Sequence, residues 1–325
     1  MPLRLGVLDQ SPIPEGRSTG DALRNTLDLA RHVDDLGYTR YWLAEHHSSL
    51  IIGGGSLACS SPEVMVGPVA LATSRIRVGT GGVMLPHYSP LKVAETFGML
   101  ASLFPGRIDL GIGRAAGTSP RIAHALRRDK RLDPLDDFPE QLLELMGYLN
   151  AGPAERPDLW LLGSSPQSAE WAAAYGLPYA FADFINPYGS TCAFDYVDQF
   201  QPSKTLSCPS QIVAVSAICA GTDEEAMRLS ASLRMMLLML FRGRPIPIPP
   251  VGRALEFLSS EGMPMESLPV GRRLLTGAPA TIRQGIEAVA REYRAQEVLI
   301  VTNVFDHAAR KRSYELIARE FELVP

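Results

Sequence analysis

Three short stretches of the chain combine residue types and spacings that can do chemistry. In GIGRAAG, residues 111–117, Gly111, Gly113 and Ala116 satisfy the loose GxGxx(G/A) pattern of a dinucleotide turn. Acidic residues at 129 and 133 fall near the offset where such a turn finds its ribose contact. Against that reading, TSPRIAHALRRDK follows, rather than a helix whose N-terminus could meet a pyrophosphate. The alternative makes Arg114 a fixed cation at the end of a barrel strand, with small residues, Ala116 among them, letting a flat ring approach. A surface ion pair would also explain the arginine.

The second stretch, LLGSSPQSAEWAA, puts Ser164 and Ser165 at a strand-to-helix turn, Pro166 at the first helical position and Ser168 in the first turn. Free backbone N–H groups at such a helix start, joined by hydroxyls, make a phosphate cradle; simple N-capping is the competing use. The third, AEHH at 44–47, ends a strand. Successive strand side chains point to opposite faces, so His46 and His47 cannot both enter one interior, and a two-histidine metal site is disfavoured. One of the two could enter, and a histidine there titrates near neutrality and suits general acid–base work, or is a structural histidine. Gly81 and Gly82 in VGTGGVMLP allow backbone to touch a planar ligand, or simply a bend. Asp9, Gln10 and Asp183 fall near the same strand ends and are candidate substrate contacts or rim residues.

Such residues must be positioned by strands and helices, and the chain alternates them. Apolar or alternating runs at 3–9, 40–46, 75–85, 107–113, 158–163, 178–184, 211–220 and 297–304 read as strands. Helix-period segments at 21–36, 62–72, 91–103, 134–149, 167–175, 223–241 and 281–293 lie between them, with a weaker one near 188–201 and a last one at 309–321. Strands apolar on both faces, alternating with helices, imply a parallel sheet covered on each side, and eight such units point to a closed (β/α)8 TIM barrel forming one domain over 1–325. Two insertions stand out. Residues 118–133 follow the fourth strand, and 242–274, proline-rich with little helical period, precede the eighth and are expected to form a loop or lid over the mouth.

Composition narrows the partners. With 325 residues, 46% hydrophobic and a net charge of -4 without charge blocks, the chain can bury a large core and shows no footprint for nucleic acid or an anionic membrane. The apolar run 235–241 is far short of a bilayer span, the N-terminus shows no export pattern, and Cys59, Cys192, Cys208 and Cys219 show neither CxxC pairing nor zinc spacing. A cytoplasmic, small-molecule protein with reduced thiols and no metal is expected.

Taken in order, AEHH, VGTGGVMLP, FPGRIDLGIGR and GSSPQSAEWAA followed by YGLPYAFA resemble the bacterial luciferase-like flavin-dependent monooxygenases, over most of the chain. The likeness is greatest to short single-domain bacterial members, some from antibiotic biosynthesis clusters. The resemblance implies a barrel that binds reduced FMN supplied by a separate reductase, reacts it with O2 through a flavin C4a-hydroperoxide, and oxygenates a small organic substrate. By the same resemblance Arg114, Ser164, Ser165 and Ser168 meet the FMN phosphate, His46 is catalytic, and Gly81–Gly82 falls where the family carries a non-prolyl cis peptide beneath the ring. A homodimer through the helices at 62–72 and 91–103 is also implied. Gly113 stands where luciferase has a cysteine, and AAGTSP follows Arg114, so long-chain aldehyde and light emission do not carry over. Hydride transfer with the deazaflavin F420 on the same fold, and a non-catalytic flavin-binding protein, are the competing readings.

Overall fold

The computed structural model describes residues 3–47, 55–114, 120–126, 137–152 and 154–324. The chain opens with β1 (Arg4–Asp9), α1 (Thr19–Asp35), β2 (Arg40–Leu43), α2 (Pro62–Ala72), β3 (Arg77–Thr80), β4 (Val83–Met84) and α3 (Pro90–Leu103). It continues through β5 (Ile108–Gly113), α4 (Pro120–Leu126), α5 (Phe138–Ala151), β6 (Asp158–Gly163), α6 (Pro166–Ala174), β7 (Tyr179–Ala182) and α7 (Ser190–Gln199). The last part comprises β8 (Gln211–Cys219), α8 (Asp223–Phe241), α9 (Val251–Ser260), β9 (Leu275–Gly277), α10 (Pro279–Glu292), β10 (Glu297–Val301) and α11 (His307–Glu320).

Parallel pairing runs β10–β1–β2–β3–β5–β6–β7–β8 and closes from β8 back to β10, with Glu297 opposite Ile212. This is the (β/α)8 barrel expected from the alternation, and all eight strand runs fall where the pattern placed them. Closure follows from the sequence: strands apolar on both faces must be covered inside as well as outside. One set of alternate side chains, including Leu8, Trp42, Trp160, Ile212 and Leu299, fills the interior, while the other packs under the helices. The dinucleotide reading of GIGRAAG fails here, because β5 lies within a closed ring and its glycines serve strand packing. A Cβ on Gly111 would lie 2.1 Å from the Thr80 carbonyl oxygen, and one on Gly79 2.4 Å from that of Asp109, so β3 and β5 approach only without side chains.

Two expectations need correction. Within 242–274, α9 forms where little helical period was expected. Ala254 and Leu258, one turn apart, are buried against α8, and the surrounding prolines at 247, 249, 250 and 264 lie outside the helix rather than in it. The helix expected at 281–293 begins earlier, at Pro279 with Ala278 as its N-cap.

The bottom of the barrel holds a buried charge cluster. Arg40 donates through Nη1 to Asp109 Oδ2 at 2.6 Å and through Nε to Glu297 Oε1 at 2.8 Å, while Trp42 Nε1 donates to Asp109 at 2.8 Å. Arg77 reaches the other Asp109 oxygen at 2.6 Å. Replacing Asp109 with Ala leaves Arg40 with Glu297 and Arg77 with Asp158 but takes a buried carboxylate from each and leaves Trp42 Nε1 without its acceptor, and should destabilise the fold by about 3–5 kcal/mol. Chemical denaturation of Asp109→Ala measures this, and a loss below about 1 kcal/mol would show that the cluster does not hold the ring together.

Candidate active site

A cavity of about 330 Å³ opens at the C-terminal rim of the barrel, the end where barrel folds place their ligands. Leu8, Trp42, Leu162, Ala180, Ala214 and Leu299 make an apolar floor. Four separate rim segments supply the polar wall, and they include most of the residues singled out from the sequence.

His46 lines the cavity two residues on from Ala44 and four from Trp42, the inward-facing set of β2 and its extension. Its backbone N–H donates to the Cys59 carbonyl at 2.9 Å. Burial, and secondarily the neighbouring His47, hold its imidazole below the ordinary 6.5, so it is neutral at neutral pH and able to accept a proton. His47 turns the other way and bonds to Glu45 Oε1 at 2.6 Å.

The Gly81–Gly82 bond, which lines the cavity, is cis. Gly81 N–H donates to the Leu43 carbonyl at 2.8 Å, and a Cβ on Gly82 would sit 2.6 Å from the Gly111 carbonyl oxygen, so the pair is pressed between β2 and β5. Gly113 has no atom within 4 Å of where a Cβ would stand, and so presents open space to the cavity.

Arg114 leaves the end of β5 and reaches α6. Its Nη1 donates to Gln167 Oε1 at 2.6 Å and its guanidinium carbon lies 5.4 Å from the Trp171 ring centroid, a cation–π distance. Gln167 is in the first turn of α6, so the cation and the helix start share one corner of the cavity with Ser164, Ser165 and Ser168. Ser165 is the N-cap residue, yet its side chain makes no capping bond. Ser168 Oγ donates to the Ser165 carbonyl at 2.7 Å and lies 2.9 Å from Tyr179 OH, which fixes the turn. Asn186 Nδ2 holds the Ser164 carbonyl at 2.9 Å. The corner therefore combines a guanidinium, uncommitted helix-start N–H groups and a hydroxyl, the donor set of an anion site.

Other candidates fall elsewhere. Gln10 lines the cavity and accepts from Asn303 Nδ2 at 2.6 Å. Asp9 does not line it. Its fully buried carboxylate takes hydrogen bonds from Ser11 N–H, Thr26, Tyr41 and Arg310, and although burial raises its pKa, Arg310 and these donors outweigh that and lower it. Asp183 is also outside, on the helix-facing side of the strand, where burial pushes its pKa up to about 6 against the pull of Arg273 3.5 Å away. Ala116 lies outside the described residues. None of the described residues of 242–274 lines the cavity; the segment grips the neighbouring rim loops through Arg272 to the Ile185 carbonyl and Arg273 to that of Pro187. No cluster of metal-ligating side chains occurs among the described residues.

Sequence reasoning passed over Glu45, although it stands inside AEHH. Its side chain is fully buried at the cavity wall, and besides His47 two residues on, its donors are Met84 and Tyr88, about forty positions away, which no local pattern reveals.

Comparison with known proteins agrees with this architecture. The luciferase-like monooxygenase family matches residues 3–295. A luciferase-like monooxygenase of Escherichia coli K12 is 38% identical over 329 residues, covering 97% of this chain and 96% of its own. The crystal structure of apo-MsnO8 superposes with a TM-score of 0.90 at 37% identity, covering 99% of this chain and 98% of its own. The oxygenating constituent of 3,6-diketocamphane monooxygenase from Pseudomonas putida, solved with FMN, shares the fold at a TM-score of 0.74 and 20% identity, over 99% of this chain and 98% of its own. The chain thus belongs to the luciferase-like monooxygenase family and is a flavin-dependent oxidoreductase on a (β/α)8 barrel.

Proposed function

We propose that the chain binds reduced FMN and transfers one atom of O2 to a small organic substrate, the other leaving as water. The observation that carries this reading is the convergence of Arg114 and the α6 start at one corner of an otherwise apolar cavity, with the glycine pair and His46 along the same wall. An elongated ligand with a flat apolar ring and an anionic end fits that polarity, and the cavity volume lies in the usual small-ligand range of about 300–1,000 Å³.

Arg114 and the N–H groups at the start of α6, with the Ser165 hydroxyl, would hold the phosphate. Gly81 and Gly82 would face the ring, bringing backbone rather than side chains against it. Bound reduced flavin supplies the two electrons that reduce oxygen. His46 is a neutral imidazole that accepts a proton beside the reacting atoms. The apolar floor and the Phe184 and Ile185 side chains exclude water, which strengthens every polar contact within. Gln10 offers an amide to the substrate. Reduced FMN would arrive from a separate reductase, as the family likeness suggests. A homodimer through α2 and α3 fits the exposed apolar side chains on those helices, Val64 at 66%, Leu71 at 77%, Met99 at 67% and Leu103 at 69% of full exposure. Work in the cytoplasm fits the free cysteines at 59, 192, 208 and 219.

Reconstitution tests the reading directly. The chain should take up FMN in preference to F420, and substrate-dependent oxygen uptake should follow; uptake of F420 alone would replace oxygenation with hydride transfer. Arg114→Ala should weaken FMN binding about 10- to 100-fold, the loss of charge-assisted hydrogen bonds, while leaving riboflavin, which lacks the phosphate, nearly unaffected. Equal weakening of both ligands in a fluorescence titration would remove the phosphate role.

The pH profile follows from His46. Because its pKa is depressed, the base form persists as pH falls below 6.5, so kcat/KM should hold level there and drop only at lower pH. His46→Ala should lower kcat about 100-fold and abolish that acid limb; a variant that keeps the limb would assign it to another group.

A further inference from the structure

We propose that Glu45 is a positioning residue that locks the Gly81–Met84 strap against the strand extension carrying His46, and so sets the surface on which the flavin ring would lie. The inference rests on the flavin reading above and adds a residue to it.

The ladder between β2 and β3 ends at Leu43 and Thr80. Beyond that point the strap is tied back to the β2 side at two places. At its start, Gly81 N–H donates to the Leu43 carbonyl at 2.8 Å. At its end, Met84 N–H donates to Glu45 Oε2 at 2.9 Å, so the carboxylate takes the place of the strand carbonyl that is no longer there. The same group accepts from Tyr88 OH at 2.8 Å, just past the short 3-10 turn Leu85–His87, and bonds to His47 Nε2 at 2.6 Å. One side chain thereby joins the strap, the turn that follows it and the residue after His46.

The choice of a carboxylate points to more than filling space. Asp9, Asp109 and Glu297 are also buried, and each is paired with an arginine, while Asp34, buried away from the cavity, accepts from the main-chain N–H groups of Ser74, Arg75 and Ile76 at one turn. Among the described residues no arginine or lysine pairs with Glu45, and its histidine partner is its only ion-pairing group. Burying a carboxylate without a permanent cation is costly. What it gains is an acceptor-only group that can face several donors at once, whereas an amide would turn its own NH2 toward one of them. Such a cost borne at a cavity wall is the pattern of a site whose geometry matters more than its stability.

Three substitutions in the full chain test this. Glu45→Gln removes the charge and one acceptor, Glu45→Asp keeps the charge on a side chain one methylene shorter, and Tyr88→Phe removes a single donor. Two readouts are used: FMN affinity by fluorescence titration, and amide hydrogen exchange of the peptide containing Met84 in the ligand-free protein. Glu45→Gln and Glu45→Asp should each weaken FMN binding about tenfold and speed exchange at Met84, and Tyr88→Phe should weaken binding about threefold. Where Glu45→Gln does not fold, Tyr88→Phe and Glu45→Asp decide. Wild-type affinity in Glu45→Gln or Tyr88→Phe, or full rescue by Glu45→Asp, overturns the proposal, the last because charge alone would then suffice. Unchanged Met84 exchange in Glu45→Gln overturns it as well. A wild-type chain that takes up no FMN defeats the flavin reading itself, and is distinguished because it appears before any substitution is made.

Discussion

Arg40 is the tie on which the barrel depends. Its guanidinium, almost wholly buried, sits between Asp109 of β5 and Glu297 of β10, and its face packs 4.9 Å from the Trp160 ring centroid. Burial works against its charge, but the two carboxylates outweigh that and raise its pKa, so the cation persists in the interior. Three strands that are not neighbours are thereby held at their N-terminal ends. With that end of the barrel plugged by paired charge and the tryptophan pair above it, an opening for a ligand remains only at the C-terminal rim. The two ends differ in kind: charges are neutralised internally below, while above, Arg114 and a helix start line the cavity.

The glycines of β3 and β5 transmit that constraint to the site. Gly79 and Gly111 let the two strands approach too closely for any side chain, and Thr80 Oγ1 both donates to the Gly111 carbonyl at 3.0 Å and accepts from the Gly111 N–H at 3.1 Å. This is why the strap after β3 is pressed onto β5 and why Val83 and Met84 pair with Ile112 and Gly113. The glycine spacing that mimics a dinucleotide turn is therefore a record of strand packing, with Gly113 alone open to the cavity.

Much of this was legible. Strands apolar on both faces, recurring eight times with helices between, allow little besides a closed parallel ring. Alternation allowed only one of His46 and His47 inside, and the same rule, applied to Leu8 and Gln10 on one face and Val7 and Asp9 on the other, would have kept Asp9 out of the cavity. For Asp183 the rule decides nothing, because Phe181 and Ala182, on opposite faces, both line the cavity. The roles of these two carboxylates were not legible, since Asp9 depends on Arg310 and Asp183 on Arg273, partners brought close only by barrel closure and by the insertion. Helix α9 was hidden by its flanking prolines, which dominate the composition of the segment while leaving the helical stretch itself intact. Glu45 was invisible for a different reason: two of its donors, Met84 and Tyr88, lie on the β3–α3 connection about forty residues away, and only barrel closure brings them to it.

The insertion shows how water exclusion is distributed. Arg234 of α8 is buried and donates to the carbonyls of Glu266 and Ser267, fixing the segment after α9. From there Arg272 and Arg273 reach the carbonyls of Ile185 and Pro187, while at the other end the Ile248 main chain bonds to Ile13 and Glu15 in the loop after β1. Contacts of this kind go to main-chain oxygens, so they fix loop position regardless of side-chain identity. Phe184 and Ile185 line the cavity, and they belong to one of the braced loops. The insertion therefore bears on the site through the loop that carries these two cavity-lining side chains. The braced β7–α7 loop adjoins the α6 start rather than standing apart from it: β6 and β7 are paired neighbours, and Asn186 Nδ2 donates to the Ser164 carbonyl at 2.9 Å, so the hold on Phe184 and Ile185 reaches the corner where Arg114 lies.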